Sequence, residues 1–188
     1  MSKQLTSYEN HLSESEPKWF AVRTRFKSEK VALKQLERLG VETYLPIRQM
    51  TRRYGRKIRK VELPLINSFV FVRVKKNEYA SVLETEYVAG FLKFGNNLLS
   101  IPDAEIDMIR RLLGEDVDLE VVAKEENVYE KGDWVEVIKG PLLGMKGCLL
   151  NIQGKDKLLI DLSNSGHSFH ITIDTDLLRK INVVVDNG

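Results

Sequence analysis

Residues 64–72 have the sequence PLINSFVFV and are followed by Arg73 and Val74. This stretch decides the fold that we expect for the chain. From Phe69 onward the side chains alternate with a period of two, which is typical of a β-strand. One row consists of Val70, Val72 and Val74, and the other of Phe69, Phe71 and Arg73. Because β-branched side chains suit packing against helices, we place the phenylalanines on the open face of a sheet. Two exposed phenylalanines would be either covered by a further helix or used to bind a partner.

The segments around this strand predict an α+β domain over residues 18–114. Apolar residues recur at helical spacing in some segments and at strand spacing in others. In chain order we expect a strand at 19–24, a helix at 27–39, strands at 41–45 and 67–74, a helix at 77–84, a strand at 87–94 and a helix at 102–113. The order β-α-β-β-α-β, followed by one helix, predicts a ferredoxin-like arrangement.

The rest of the chain predicts a tail, a linker and a second domain. Residues 1–17 are polar and without periodicity, so we expect a flexible tail. Residues 115–128 contain six Asp or Glu and one Lys, and we interpret them as an acidic linker. Residues 129–183 contain five short apolar runs separated by glycine-rich turns, which predicts a small five-stranded β-barrel.

Charge is distributed unevenly along the chain and points to a polyanionic partner. Residues 18–114 carry a net charge of about +10, whereas residues 115–130 carry about −6. Seven Lys or Arg side chains and no acid occur within 13 residues: Arg48, Arg52, Arg53, Arg56, Lys57, Arg59 and Lys60. With Tyr54-Gly55 at its centre, this run predicts a protruding hairpin that contacts the phosphate backbone of a nucleic acid. The alternative is a solvated loop without a partner.

Composition argues against several other classes of protein. No apolar run approaches the roughly 20 residues of a membrane-spanning helix, and the N-terminus lacks the apolar stretch of a secretory signal, so we expect a cytoplasmic protein without a membrane partner. Cys148 is the single cysteine, and the three histidines (His11, His167 and His170) lack a metal-binding pattern. Neither a GxxxxGK[S/T] motif nor a nucleophile beside a base is evident. We therefore expect no catalysis, no metal and no cofactor.

Two motifs resemble the NusG/Spt5 family of transcription elongation factors. KWFAVRT at residues 18–24, together with PLINSFVFV at 64–72, resembles the first strand and the FPGYV-type motif of the family's N-terminal domain, called NGN. GDWVEVIKGPLLGMKG at residues 132–147 resembles the KOW motif, whose core is GPF-x-G-x-x-G. The matching positions are Gly132, Asp133, Val135, Val137, Gly140, Pro141, Gly144 and Gly147. The resemblance implies a ferredoxin-like NGN domain over 18–114 and a KOW (SH3-like) barrel over 129–183.

The resemblance also implies a partner and a mechanism. In the family, the NGN domain binds the clamp helices of the large RNA polymerase subunit through an apolar hollow, bridges the main channel and suppresses pausing or termination. By position, the hollow corresponds to Ala21, Leu65, Ile66, Phe69, Phe71 and Phe94. Upstream or non-template DNA, with nascent RNA as a further candidate, would then lie near Arg25, Lys27, Arg52, Arg53, Arg56, Lys57, Arg59 and Lys60.

Departures from the family pattern favour a specialised paralogue. Asn67 and Ser68 occupy the positions of the proline and glycine in the general factor's motif. The segment is therefore nearer to the antiterminators of the RfaH and UpxY type, which act on selected operons such as polysaccharide clusters. At residues 164–167, polar side chains replace the apolar patch with which family members contact ribosomal protein or Rho, and this argues against both partners.

Two other interpretations stay open. One is an RNA-binding or ribosome-associated module, because the first domain's topology resembles an RRM and KOW domains occur in ribosomal proteins. The other is a structural adaptor that joins two partners through the barrel. The sequence also leaves open whether the KOW domain masks Phe69 and Phe71.

Overall fold

The computed structural model describes residues 8–115, 118–123, 132–152, 154–161 and 167–182. The chain divides into two compact units, Met1–Leu113 and Gly114–Gly188. Each unit contains its own sheet, so each is described by itself.

A four-stranded antiparallel sheet forms the centre of the first unit, with the strand order β2-β5-β1-β6. The elements of this unit are β1 Lys18–Thr24, α1 Glu29–Arg38, β2 Glu42–Tyr44, β3 Ile47–Tyr54, β4 Lys57–Pro64, β5 Phe69–Val74, a 3-10 turn Lys76–Glu78, α2 Tyr79–Leu83, β6 Val88–Phe91 and α3 Asp103–Gly114. The predicted order of strands and helices is confirmed, and the element ends shift by a few residues.

The valine face of β5 packs against the helices, as the alternation predicts. Val70, Val72 and Val74 are buried in one core with Leu36 of α1 and Val82 of α2. Helix α1 ends at Arg38, and Gly40, two residues later, has a φ of +78° that other residues rarely adopt. The core therefore lies between the sheet and the first two helices.

The opposite face of the sheet is partly covered by α3. The Trp19 indole Nε1–H donates to Asp103 Oδ1 at 3.0 Å. The Arg110 guanidinium lies over the Tyr44 ring at 5.0 Å and over the Trp19 ring at 5.8 Å. The ring of Tyr44 in turn stacks on Phe71 at a centroid distance of 6.2 Å. Phe71 is only 1% exposed, so the expectation that both phenylalanines are uncovered is wrong for Phe71.

The basic run forms a separate two-stranded sheet, so the predicted hairpin is confirmed. β3 pairs with β4 in unbroken antiparallel register from Ile47↔Pro64 to Tyr54↔Lys57. The connecting residues are Gly55 and Arg56, and Gly55 has a φ of +60°, which such a tight turn requires. Residues 49–60 are exposed throughout.

The expected flexible tail does not extend over residues 9–13. The His11 N–H donates to Leu98 O and the Leu98 N–H donates to Glu9 O, each at 2.9 Å. The Ser100 N–H donates to His11 Nδ1 at 3.0 Å, and Leu12 packs against the core. Residues 1–7 lie outside the described residues. Backbone pairing and one apolar side chain thus hold a segment that has no sequence periodicity.

The second unit contains a six-stranded antiparallel sheet with the order β12-β8-β9-β10-β11-β7. Its strands are β7 Leu119–Ala123, β8 Trp134–Val137, β9 Lys146–Ile152, β10 Lys155–Asp161, β11 His167–Thr172 and β12 Leu178–Lys180. The five predicted strands correspond to β8–β12. β7 is an additional strand, and it lies within the segment expected to be an acidic linker.

The acidic side chains around β7 are paired with residues far along the chain. Lys157 Nζ donates to Glu120 Oε2 at 2.7 Å, and this hydrogen bond lowers the pKa of Glu120. The Thr172 hydroxyl donates to Asp118 Oδ2 at 2.9 Å. These contacts explain why residues 118–123 of the acidic segment join the sheet, while residues 116–117 and 124–128 lie outside the described residues.

Among the residues that the structure describes, every helix is too short or too polar to cross a lipid bilayer.

Two glycines of the second unit serve different structural needs. A Cβ at Gly147, in β9, would lie 2.3 Å from the backbone oxygen of Leu159 in β10. A Cβ at Gly144 would meet nothing within 4 Å, but the φ of Gly144 is +82°. Gly147 is thus required by close approach of two strands, and Gly144 by backbone conformation.

We predict that Gly147→Ala destabilises the second unit more than Gly144→Ala. The methyl group at 147 pushes β9 and β10 apart, an overpacking that costs about 3 kcal/mol, whereas the strained φ at 144 costs about 1 kcal/mol. Hydrogen exchange of the β9 and β10 amides in the full chain measures both effects. Equal loss of protection in the two variants would contradict the packing role of Gly147.

Candidate functional site

Three of the predicted apolar residues share the face of the sheet that α3 partly covers. Ala21 lies directly opposite Phe71 in the β1–β5 register, and Arg23 lies opposite Phe69. Tyr44 of β2 lies opposite Phe71 on the other side. Directly opposite residues project to the same face, so we call the set Ala21, Tyr44, Phe69 and Phe71 the aromatic face.

The aromatic face is accessible mainly at the Phe69 end. Phe69 is half-buried, and the Arg23 guanidinium lies over its ring at 5.8 Å. Leu65 is also half-buried, whereas Ala21, Ile66 and Phe71 are buried. The structure therefore offers Phe69 and Leu65 for contact, with the other three beside or beneath them.

Phe94 lies beyond the end of β6, in a turn in which Phe94 and Asn97 exchange backbone hydrogen bonds of 3.0 Å. The Phe94 side chain is 37% exposed, which makes it the most exposed of the six predicted apolar residues.

The two faces of the β3–β4 hairpin carry unequal charge. On the face that we call the front face, the register aligns Arg48, Met50, Arg52, Tyr54, Lys57 and Arg59. On the back face it aligns Thr51, Arg53, Ile58, Lys60 and Glu62. Glu62 forms an ion pair of 3.4 Å with Lys30 of α1, so the back face is turned toward α1 at the base of the hairpin. Four of the seven predicted cations therefore project from the front face, and Arg56 lies in the turn.

Two cations oppose each other directly on the front face. Arg52 and Arg59 are register partners, and like charges in that position destabilise a strand pair. Within the described ranges, no carboxylate forms an ion pair with the Lys or Arg side chains of residues 52–60. An anionic ligand would relieve this repulsion.

A second basic element, the turn at residues 25–28, begins where β1 ends. It contains the predicted residues Arg25 and Lys27 and also Phe26, which is 78% exposed. Lys27 Nζ lies 5.0 Å from the Phe26 ring centroid, and the Arg25 guanidinium lies 5.9 Å from the ring of Tyr87. Sequence reasoning missed Phe26 and Tyr87. For Phe26 the available signal was its place between two cations, a composition that suits stacking of bases beside a phosphate backbone.

Three residues other than glycine adopt positive φ at this end of the first unit. They are Lys27 at +55°, Ser68 at +61° and Tyr87 at +69°. The Thr24 N–H donates to Ser68 O and the Arg25 N–H donates to Tyr87 O, each at 2.9 Å. Residues held in this region are strained, and such strain is found where a site must keep one geometry.

The KOW-like residues build the connection between β8 and β9. Val135 and Val137 are buried in β8, and the Gly144 N–H donates to Val137 O at 2.8 Å. Gly132 and Asp133 precede β8, Gly140, Pro141 and Gly144 lie between β8 and β9, and Gly147 lies in β9. Of the turn expected to contact ribosomal protein or Rho, residues 164–166 lie outside the described residues.

Within the described ranges, no three His, Cys, Asp or Glu side chains lie close enough together to hold a metal ion.

The comparisons with known proteins identify the family of the chain. A family model described as "Transcription termination factor nusG" matches residues 17–110. NusG of Thermotoga maritima, in a structure entitled "Domain interaction in Thermotoga maritima NusG", is 25% identical, with a TM-score of 0.53 over 90% of this chain and 100% of that chain. An MjSpt4:Spt5 complex matches at 18% identity and a TM-score of 0.30, over 87% of this chain and 98% of that one.

The matched region spans the sheet, the hairpin and most of α3, which together define a transcription factor of the NusG type. This chain belongs to the NusG family.

We predict that Arg59→Glu stabilises the β3–β4 hairpin. The substitution replaces a like-charge pair with an opposite-charge pair across Arg52, worth about 0.5 kcal/mol. Hydrogen exchange of the hairpin amides measures the gain. Lys60→Glu is the matched control, because it changes the charge equally but faces Thr51. Equal stabilisation by both variants would show that net charge, and not the direct pair, is responsible.

Proposed function

We propose that this chain is a transcription elongation and antitermination factor. In this proposal the first unit is a ferredoxin-like NGN domain that binds the clamp helices of the large RNA polymerase subunit. The bound factor bridges the main channel and suppresses pausing or termination. The second unit is a KOW barrel.

One observation carries the proposal: four residues connect the basic hairpin to the strand that bears Phe69. β4 ends at Pro64 and β5 begins at Phe69, and the connection contains Leu65 and Ile66. An apolar contact surface and a basic projection are therefore adjacent on one unit. This combination suits a partner that is part protein and part nucleic acid, as a transcribing polymerase is.

The apolar contact is centred on Phe69 with Leu65. Partly exposed aromatic side chains next to buried ones are typical anchors of protein interfaces. Ala21, Ile66 and Phe71 are buried. Binding requires no covalent bond to be made or broken. The bound factor shifts the conformational equilibrium of the clamp through its higher affinity for the closed state.

The nucleic-acid contact is made by the front face of the hairpin and by the turn at residues 25–28. Upstream or non-template DNA is the proposed ligand, bound mainly through its phosphates. The Lys30–Glu62 ion pair joins the first turn of α1 to the hairpin, which keeps the two basic elements at the same end of the unit.

Selective action on particular operons belongs to the same proposal. It is supported by Asn67 and Ser68, which depart from the general factor's motif. The RNA-binding alternative is weakened by the burial of Phe71, because RRM-type stacking uses aromatic rings that are open on the sheet surface.

We predict that Phe69→Asp lowers the recovery of core RNA polymerase with the chain by tenfold or more, on the order expected for loss of an interface anchor. Co-purification from cell extract, with circular dichroism to verify folding, measures the effect. Leu83→Asp is the control, because Leu83 is 39% exposed on α2, which covers the opposite face of the sheet. Equal recovery with both variants would contradict the proposed contact.

We predict that Arg52→Ser/Arg59→Ser weakens binding to duplex DNA. The plot of log K against log salt becomes less steep, and the magnitude of its negative slope falls by about 2, because two phosphate contacts are lost. Fluorescence anisotropy with the full chain measures the slope. Arg53→Ser/Lys60→Ser removes the same charge from the back face and is expected to change the slope less. If the two double variants behave identically, the front face is not the binding face.

A further inference from the structure

A buried carboxylate holds the turn that joins the hairpin to the aromatic face. Glu29, the first residue of α1, is 6% exposed. Its Oε1 accepts a hydrogen bond of 2.7 Å from the backbone N–H of Ser68. A buried charged acceptor forms a stronger hydrogen bond than a neutral one, so this contact ties α1 firmly to a segment 39 residues further along the chain.

Ser68 needs such support because of its backbone conformation. Its φ of +61° lies in the left-handed region, which disfavours side chains that carry a Cβ. Its carbonyl oxygen also accepts the Thr24 N–H at 2.9 Å. Both backbone polar groups of Ser68 are therefore engaged, one by α1 and one by the end of β1.

The Ser68 turn determines how Phe69 enters the sheet. Phe69 is the first residue of β5 and lies opposite Arg23, one residue before Thr24. Ile66, two residues before Ser68, is buried. A change of φ at Ser68 would redirect both the buried Ile66 and the accessible Phe69 ring.

We propose that Glu29 is a positioning residue for polymerase binding, which holds Ser68 in the left-handed conformation and thereby sets the orientation of Phe69. This inference rests on the proposed function, because it concerns the same contact surface. Glu29 itself does not touch the polymerase. It acts through the backbone of Ser68.

The test compares the affinity of four full-length variants for core RNA polymerase. Glu29→Ala removes the acceptor and is expected to weaken binding about tenfold, the usual effect of losing a hydrogen bond of this kind. Glu29→Gln keeps an oxygen acceptor and retains most of the affinity. Ser68→Gly introduces a residue that adopts positive φ without the hydrogen bond to Glu29. Combined with Glu29→Ala, it is therefore expected to restore most of the affinity. Glu37→Ala, at an exposed position of α1, is the matched control and leaves binding unchanged.

Rescue distinguishes positioning from general stabilisation. If Glu29 only stabilised the fold, Ser68→Gly would not selectively recover binding in the Glu29→Ala background. Wild-type affinity in Glu29→Ala, or a loss that Ser68→Gly fails to restore, overturns the inference.

A second measurement separates this inference from the proposed function. Hydrogen exchange of the Ser68 amide in the free chain, followed by NMR, needs no polymerase. Protection is expected in the wild type and in Glu29→Gln, and its loss is expected in Glu29→Ala. If the wild type fails to bind polymerase, the proposed function fails, whereas unchanged Ser68 protection in Glu29→Ala overturns the positioning role by itself.

Discussion

The antiparallel pairing of β1 with β5 is the constraint on which the rest of the first unit depends. Its register sets which side chains share a face, with Val22 opposite Val70 on the core side and Ala21 opposite Phe71 on the other. A slip of one residue would send the valines away from the helices and the phenylalanines into the core. The same pairing places the start of β5, and with it Phe69, beside the basic end of β1. Packing of the core and presentation of the contact surface are thus two results of one register.

The hairpin contributes positive charge, and Ile47 at its base packs against that core. It forms a sheet of only two strands, an arrangement of marginal stability by itself, and it carries directly opposed arginines. It is attached to the first sheet by the four-residue connection that contains Ser68, and Glu62 pairs with Lys30 of α1. In the proposed function, the apolar contact supplies affinity for a protein partner, while the cations attract a nearby polyanion over long distances. The short, strained connection at residues 65–68 joins the hairpin to the strand that bears Phe69. It thereby limits how far the basic hairpin can move relative to the aromatic face.

Local patterns in the sequence were sufficient to predict the elements of the first sheet, and long-range contacts explain what they missed. The alternation in β5 predicted the faces of that strand, and the charged run around Tyr54-Gly55 predicted the hairpin. β7 was missed because its one acid, Glu120, is paired with Lys157, far along the chain. The burial of Phe71 depends on Tyr44, which α3 contacts in turn. Lys27 and Tyr87 adopt positive φ in turns, and no periodicity in the sequence reveals such turns.

Site-specific photocrosslinking in a transcribing elongation complex is the decisive test of the proposed contact at Phe69. A benzophenone side chain in place of Phe69 lies at the accessible end of the aromatic face. We expect a crosslink to the clamp helices of the large polymerase subunit. A crosslink confined to ribosomal proteins or RNA, or to no component of the polymerase, would contradict it.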